Sequence, residues 1–170
     1  MVLPSTEAIH VEFQKSAPRE ELVDVVDAAD TVIGRATKTE IFTKNLNHRT
    51  IQIMLLNQAN EIALQKRGDE WTASAFGIVL NNETYRQAAT RIIKEQLGIS
   101  PEIQFSGKIL YKDPRGCTVF MGVFAAPHSG PFRIDANLMD EVRFFPRDVI
   151  DQTAREGSGL HPQLSFVMKS

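Results

Sequence analysis

The sequence has little cysteine and no excess of charge of either sign, and each shortage excludes a class of protein. Cys117 is the only cysteine among the 170 residues, so an intramolecular disulfide framework cannot form. The formal net charge of −2 at pH 7 provides no electrostatic attraction for nucleic acid or for an anionic membrane. We therefore expect neither of these as a partner.

Long apolar runs are also missing. No stretch reaches the ~18 consecutive apolar residues that indicate a membrane-spanning helix. The start, MVLPSTEAIHVEFQ, lacks the basic region and long apolar run of a secretory signal, so we expect a cytoplasmic protein. Hydrophobic residues at 42% and charged residues at 24% are typical of a folded globular chain.

The residue pattern predicts a mixture of strands and helices. Residues 1–20 are polar and aperiodic and predict a flexible N-terminal arm, which leaves residues 21–170 for a single domain. Helical spacing of apolar residues predicts helices over 84–97 and 147–156. Extended segments are predicted at 22–27, 31–37, 48–57, 61–67, 71–75, 103–112, 117–126 and 140–145. Because these elements do not alternate regularly, we predict an α+β fold with helices packed on a mixed sheet.

The stretch GIVLNNETYRQAATRIIKEQLGIS, from Gly77 to Ser100, places charged residues at fixed intervals around the first predicted helix. Positions 92, 95 and 96 are related as i, i+3 and i+4, so they face neighbouring parts of one helical surface. Three carboxylates there would form the dense oxygen site that Mg²⁺ prefers. The residues present are Ile92, Glu95 and Gln96.

This stretch resembles the Nudix box, whose pattern is G-x5-E-x7-R-E-U-x-E-E-x-G-U, where U is a bulky aliphatic residue. Seven of the nine specified positions match: Gly77, Glu83, Arg91, Ile93, Glu95, Gly98 and Ile99. Ile92 and Gln96 stand where the pattern has glutamates. The segment from Gly77 to Ile99 is therefore interpreted as a degenerate Nudix box.

The resemblance extends over residues 21 to about 150 and is to the Nudix branch closest to isopentenyl-diphosphate isomerase. ELVDVVDAADTVIGRATKTEIF and NHRTIQIMLLNQANEIALQKR are similar to the opening of that branch, and WTASAFG is similar to its entry into the box. The resemblance implies a Nudix fold, an α/β/α sandwich with a mixed β-sheet. Isomerase activity is not expected, because Phe76 and Ile78 stand at the positions of that enzyme's catalytic cysteine and a metal-binding histidine.

The Nudix family hydrolyses nucleoside diphosphate derivatives with Mg²⁺ or Mn²⁺, so the resemblance implies diphosphate chemistry at an eroded metal site. Glu95 would be the residual catalytic and metal-binding carboxylate, with Glu141 as a second metal ligand. Arg67 would contact the phosphates of the substrate. Metal binding is expected to be weak because two helix carboxylates of the box are absent. The structural residues of the motif would be Gly77, Glu83, Arg91 and Gly98, with Glu83 and Arg91 forming a charge-assisted hydrogen bond.

Two functions from different classes stay open on this sequence. The first is a weakly active or inactive relative of the diphosphate hydrolases. The second is a non-catalytic Nudix-fold module that binds a nucleotide or a protein partner. Each candidate residue also has an ordinary alternative: Glu95 and Glu141 as solvated surface carboxylates, and Arg67 as half of a surface salt bridge. A homodimer is left open as well.

Overall fold

The computed structural model of the protein describes residues 20–170, so the predicted arm lies outside the described residues except for its last residue. The elements in chain order are β1 (Leu22–Val26), β2 (Val32–Thr37), α1 (Lys38–Thr43), β3 (His48–Leu56), β4 (Ile62–Arg67), β5 (Glu70–Thr72), β6 (Ala75–Ile78), α2 (Tyr85–Leu97), β7 (Gln104–Lys112), β8 (Thr118–Pro127), β9 (Glu141–Phe145), α3 (Arg147–Glu156) and α4 (Pro162–Lys169). None of the helices in this part of the chain is both long and apolar enough to cross a membrane.

Strand β3 is the centre of a mixed sheet. It runs parallel to β8 along its whole length and antiparallel to β6 from Thr50 to Ile53. It pairs with β4 only at Leu56 and Ile62, because β4 then diverges. Strand β4 pairs instead with β5 and β9, and β7 adds to the outer edge of β8. The divergence of β4 leaves room beside β3 for β6, which leads into the segment that resembles the Nudix box.

Helices cover both faces of this sheet. Along β3, Ile51 and Ile53 belong to the apolar cluster that includes Ile92 of α2. Met54 points the other way and belongs to the cluster that includes Ile150 of α3 and residues of α4. Because successive side chains of a strand face opposite sides, one strand serves both layers. The predicted α/β/α sandwich with a mixed sheet is confirmed.

Both predicted helices are present, whereas α1 and α4 were not predicted from the sequence. Helix α1 begins at a reciprocal cap: the Glu40 amide donates to Thr37 Oγ1 at 3.1 Å, and the Thr37 amide donates to Glu40 Oε1 at 3.2 Å. The spacing Thr-x-x-Glu was visible in the sequence and is a signature of such a start. Helix α4 has Pro162 in its first turn, another common start signal.

The β1–β2 hairpin is held on the sheet by Asp30 in its turn. The Asp30 carboxylate accepts from Arg49 Nε at 2.6 Å, from Tyr85 Oη at 2.8 Å and from Lys108 Nζ at 2.8 Å. These partners belong to β3, α2 and β7, so one buried carboxylate joins the hairpin to two strands and a helix. Its hydrogen bonds are charge-assisted, which makes them stronger than neutral ones.

The two glycines that follow α2 and α3 provide a matched pair of substitutions. Both have left-handed backbone, with φ of 68° at Gly98 and 79° at Gly157. A methyl group at Gly98 would stand 2.8 Å from Arg133 Cβ, whereas one at Gly157 would meet nothing within 4 Å. We expect Gly157→Ala to cost about 1–2 kcal/mol through backbone strain, and Gly98→Ala to cost roughly 1–3 kcal/mol more through overpacking. Equal losses in urea unfolding would contradict the close contact with Arg133.

The Asp30 contacts predict a loss of stability in acid. Burial by itself would raise the pKa of Asp30, but hydrogen bonds from Arg49, Lys108 and Tyr85 outweigh burial and lower the pKa. A lowered pKa stabilises the folded state above the unfolded-state value of about 3.9, and this contribution disappears as the pH falls through the folded value. We expect the free energy of unfolding to fall more steeply between about pH 5 and 3 in the wild type than in Asp30→Asn. Equal slopes would refute this role of Asp30, and Asn is a suitable replacement because it also tolerates positive φ.

Candidate functional site

The segment between β6 and α2 is fastened by Glu83 and Arg91. Arg91 Nε donates to Glu83 Oε2 at 2.7 Å and Nη2 donates to Oε1 at 2.9 Å, a bidentate pair. Glu83 Oε1 also accepts from the Leu80 amide at 2.8 Å, and Arg91 Nη2 donates to the Ile78 carbonyl at 3.1 Å. The pair thus joins the loop, the end of β6 and α2.

Gly77 lets α2 lie close to β6. A methyl group at this position would stand 2.8 Å from Ile92 Cδ1. Ile92 is 3% exposed and belongs to the main apolar cluster beneath the helix. Position 92 therefore serves packing in this chain, where the Nudix pattern has a glutamate.

The side chain of Gln96 forms hydrogen bonds with uncharged partners. Its Nε2 donates to the Phe76 carbonyl at 2.8 Å, and its Oε1 accepts from the Phe76 amide at 3.3 Å. Gln65 Nε2 also donates to Gln96 Oε1, at 3.0 Å, and to the Ser74 carbonyl, at 3.0 Å. The second position where the pattern has a glutamate therefore holds an amide that bridges α2, β4 and the backbone of β6.

The two carboxylates predicted to bind metal each lie beside an arginine of their own element. Glu95 is on α2, with its side chain 59% exposed and 3.3 Å from Arg91 Nη1. Glu141 begins β9, where it is 2.9 Å from Arg143 Nη2. The neighbouring Val142 packs on the cluster under α2, so alternation turns Glu141 toward the opposite face. Within residues 20–170, no group of three or more His, Cys, Asp or Glu side chains could hold a metal ion.

Arg67, predicted to contact phosphate, ends β4 beside these amides. Its Nε donates to Gln65 Oε1 at 2.6 Å, and its guanidinium carbon lies 4.3 Å from the centre of the Phe76 ring. Its Nη2 is buried and has no hydrogen-bond partner in the described part of the chain. Burial lowers the pKa of Arg67, although an arginine stays charged at any ordinary pH. The role of Arg67 in substrate binding stays a prediction.

A cavity of about 220 Å³ lies on the side of Phe76 away from α2. Its walls include Phe42, His48, Thr50, Phe76, Ile78 and His161. The hydroxyl of Thr50 is buried without a partner among the described residues. Burial lowers the pKa of both imidazoles, which favours their neutral form.

The parts played by Gln65 and Phe76 were not predicted from the sequence. Gln65 follows the apolar residues of EIALQKR and is fully buried, and a polar side chain inside such a strand was the available signal. In the sequence, Phe76 is notable because it stands at the position of the catalytic cysteine of isopentenyl-diphosphate isomerase. Its contacts with both Arg67 and Gln96 depend on the divergence of β4 from β3, which no local pattern encodes.

The comparisons with known proteins agree with this geometry. The model of the NUDIX domain family matches residues 46–164, so the chain belongs to the Nudix family. An uncharacterized Nudix hydrolase of Pseudomonas aeruginosa is 29% identical over 149 residues, which cover 83% of this chain and 88% of the relative. An isopentenyl-diphosphate Delta-isomerase of Serratia proteamaculans is 30% identical over 100 residues, which cover 55% of this chain and 56% of that enzyme.

A solved structure supports the same fold. The crystal structure of the protein DR0079 from Deinococcus radiodurans superposes with a TM-score of 0.75 at 18% identity, and the match covers 88% of this chain and 97% of that one. At this identity the likeness is evidence for the fold alone. The family and fold predicted from the sequence are therefore confirmed.

The Glu83–Arg91 pair predicts a strong energetic coupling. Its side chains are only 18% and 25% exposed and share two hydrogen bonds, so a double-mutant cycle with alanine should give a coupling of about 1–3 kcal/mol. The pair Arg91–Glu95 is the matched control, because it uses the same arginine with an exposed partner. Its coupling should be at most about 0.5 kcal/mol. Couplings of similar size, measured by urea unfolding, would count against the structural role of Glu83.

Proposed function

We propose that this protein has kept the Nudix fold and the structural half of the Nudix box, while its divalent-metal site is eroded. It would then have weak or no hydrolase activity on nucleoside diphosphate derivatives. The observation that carries the proposal is the side chain of Gln96, which is bound to both backbone groups of Phe76 and to Gln65. A side chain committed in this way is a structural link and is not free to serve as a metal ligand.

The neighbouring side chains do not fit a magnesium site. Mg²⁺ requires near-octahedral oxygen ligands and gives up its water reluctantly, so carboxylates must supply much of the compensating charge. At the three helix positions only Glu95 is a carboxylate, and it is exposed and paired with Arg91. Ile92 is buried in the apolar cluster, and the guanidinium of Arg67 brings positive charge to the same region. These features support weak binding of divalent metal.

Family membership supports a diphosphate-bearing ligand, with a nucleotide as the leading candidate. A protein that keeps the fold and loses the metal can still bind its ligand, because recognition of the organic part and neutralisation of phosphate are separate tasks. The cavity beside Phe76 is the observation that favours a binding function over a purely structural one. We therefore place binding first and turnover second.

Metal titration tests the proposal. Calorimetry of the wild type with Mg²⁺ and Mn²⁺ should show no site tighter than about millimolar, by comparison with other sites of low ligand charge. A panel of nucleoside diphosphate derivatives should release little or no phosphate or nucleoside monophosphate. A micromolar metal site with turnover that Glu95→Gln abolishes would overturn the proposal.

The variant Gln96→Glu supplies a complementary test. Without metal it should lose about 1–3 kcal/mol of stability, because the Phe76 carbonyl loses its donor and faces a carboxylate. Mn²⁺ should then raise the melting temperature, since position 96 adds a second carboxylate next to Glu95. The double variant Gln96→Glu with Glu95→Gln is the control and should show no such rise. A wild type that responds to Mn²⁺ as strongly as Gln96→Glu would contradict the idea of an eroded site.

A further inference from the structure

An apolar cavity of about 240 Å³ lies under α3, on the face of the sheet opposite α2. Its apolar walls are Leu64, Trp71, Phe145, Val149, Ile150 and Leu160. The hydroxyl of Thr153, which also lines the cavity, donates to the Val149 carbonyl at 2.8 Å and is therefore engaged within α3. Because water finds few hydrogen-bond partners among such walls, the cavity favours a hydrocarbon group.

The cavity is open to solvent at Val149. This side chain is 45% exposed although it forms part of the wall, whereas the next residue of α3, Ile150, is buried. A water molecule takes about 30 Å³ in the liquid and a methylene group is of similar size, so the cavity holds a chain of about eight carbon atoms. It is smaller than the pockets that bind drug-sized ligands, and it suits one slender alkyl chain.

Two cations border this apolar space. Lys66 Nζ lies 5.8 Å from the centre of the Trp71 ring, and the guanidinium carbon of Arg143 lies 5.6 Å from the same ring. The register of the strands explains their position, because Lys66 pairs with Trp71 and Arg143 pairs with Leu64. Paired residues of an antiparallel ladder have their side chains on the same face, so both cations lie on the face that carries the walls.

One of these positive charges is left without a partner. Arg143 is bound to Glu141 at 2.9 Å, whereas Lys66 takes part in none of the ion pairs formed by residues 20–170. A single uncompensated charge matches a ligand with a single negative group, such as a carboxylate. The surroundings of the cavity therefore combine room for an alkyl chain with attraction for one anionic group.

We propose that this cavity binds a medium-chain fatty acid, with the alkyl chain against the apolar walls and the carboxylate at Lys66 and Arg143. Burial of the chain supplies most of the affinity, because each methylene group removed from water contributes favourably. The charge-assisted contact with Lys66 fixes the direction in which the chain enters. The site lies on the face of the sheet opposite Gln96, so the proposal goes beyond the proposed function and does not depend on the metal site.

Trp71 makes a direct test possible, because it lines the cavity and is the only tryptophan of the chain. Titration of the full chain with octanoate, followed by the fluorescence of Trp71, should show saturable binding. From butanoate to octanoate the affinity should rise about fourfold per methylene group, and it should level off in longer acids that outgrow the cavity. The absence of saturable octanoate binding, or a rise that continues unchanged to dodecanoate, would overturn the proposal.

The charge of the ligand and of Lys66 is tested next. Octylammonium should bind at least about tenfold more weakly than octanoate, with octanol between them, since only the carboxylate gains a charge-assisted contact. Lys66→Gln should weaken octanoate binding by about fivefold or more. Lys94→Gln is the matched control, because it removes the same charge from an exposed position of α2, and it should change the affinity by no more than about twofold. Equal affinities for the three ligands, or equal effects of the two variants, would overturn the placement of the carboxylate.

Variants of Val149 test the position of the chain. Val149→Phe should obstruct the opening and weaken octanoate binding by about tenfold or more, since space for several methylene groups is lost. Val149→Ala keeps the opening free, so it should bind octanoate within about threefold of the wild type. Both variants should melt close to the wild type, because the changed side chain is partly in solvent. If Val149→Phe folds and binds octanoate as well as Val149→Ala does, the chain does not occupy this cavity and the proposal fails.

A second copy of the chain is the competing occupant. Sedimentation of the wild type at increasing concentration, without octanoate, should show no dimer that Val149→Phe abolishes. Such a dimer would mean that a neighbouring copy covers the cavity, and it would overturn the proposal of a fatty-acid site.

Discussion

Helix α2 lies close against β6 at Gly77, where an added methyl group would displace the end of the Ile92 side chain, and the contacts of the site meet across this interface. The contact brings Ile92 into the apolar cluster and sets Gln96 at hydrogen-bond distance from the backbone of Phe76. It also holds Arg91 where its guanidinium reaches both Glu83 and the Ile78 carbonyl. Apolar packing, amide bridging and ion pairing thus act across one interface.

The same interface also holds the two positions of α2 where this chain lacks the glutamates of the Nudix pattern. At position 92 an isoleucine gains apolar burial, and at position 96 an amide both donates to and accepts from the backbone of one residue. A carboxylate could only accept there, so it would leave the Phe76 carbonyl without a donor. Relative to the Nudix pattern, each of the two positions has one negative charge fewer and makes a contact that stabilises the fold.

The hairpin β1–β2 is attached by a different kind of contact. Asp30 is buried and binds three partners from three elements, and Val23 and Ala36 of the hairpin also pack in an apolar cluster with Ile78 and Leu80. The Asp30 contacts are the part of this attachment that responds to acid. The segment that resembles the box also has support that does not titrate, at Gly77, Ile92 and Gln96.

The sequence by itself determined most of the secondary structure, the family and the Glu83–Arg91 pair, because these depend on local periodicity and on fixed spacing along one helix. It predicted α2, α3 and most strands of the sheet. The single extended segment predicted at 71–75 is wrong, because the structure has two separate strands there, β5 and β6. Helices α1 and α4 are short and were not predicted, although the sequence carries the start signal of each. Tertiary structure alone decided what surrounds each candidate residue. The divergence of β4 from β3 brings Gln65 and Arg67 to Gln96 and Phe76, and the register of β9 places Val142, and not Glu141, on the face that packs under α2. Gln65 and Gln96 are 31 positions apart, and strand pairing in space, which local patterns do not encode, determines whether such residues meet.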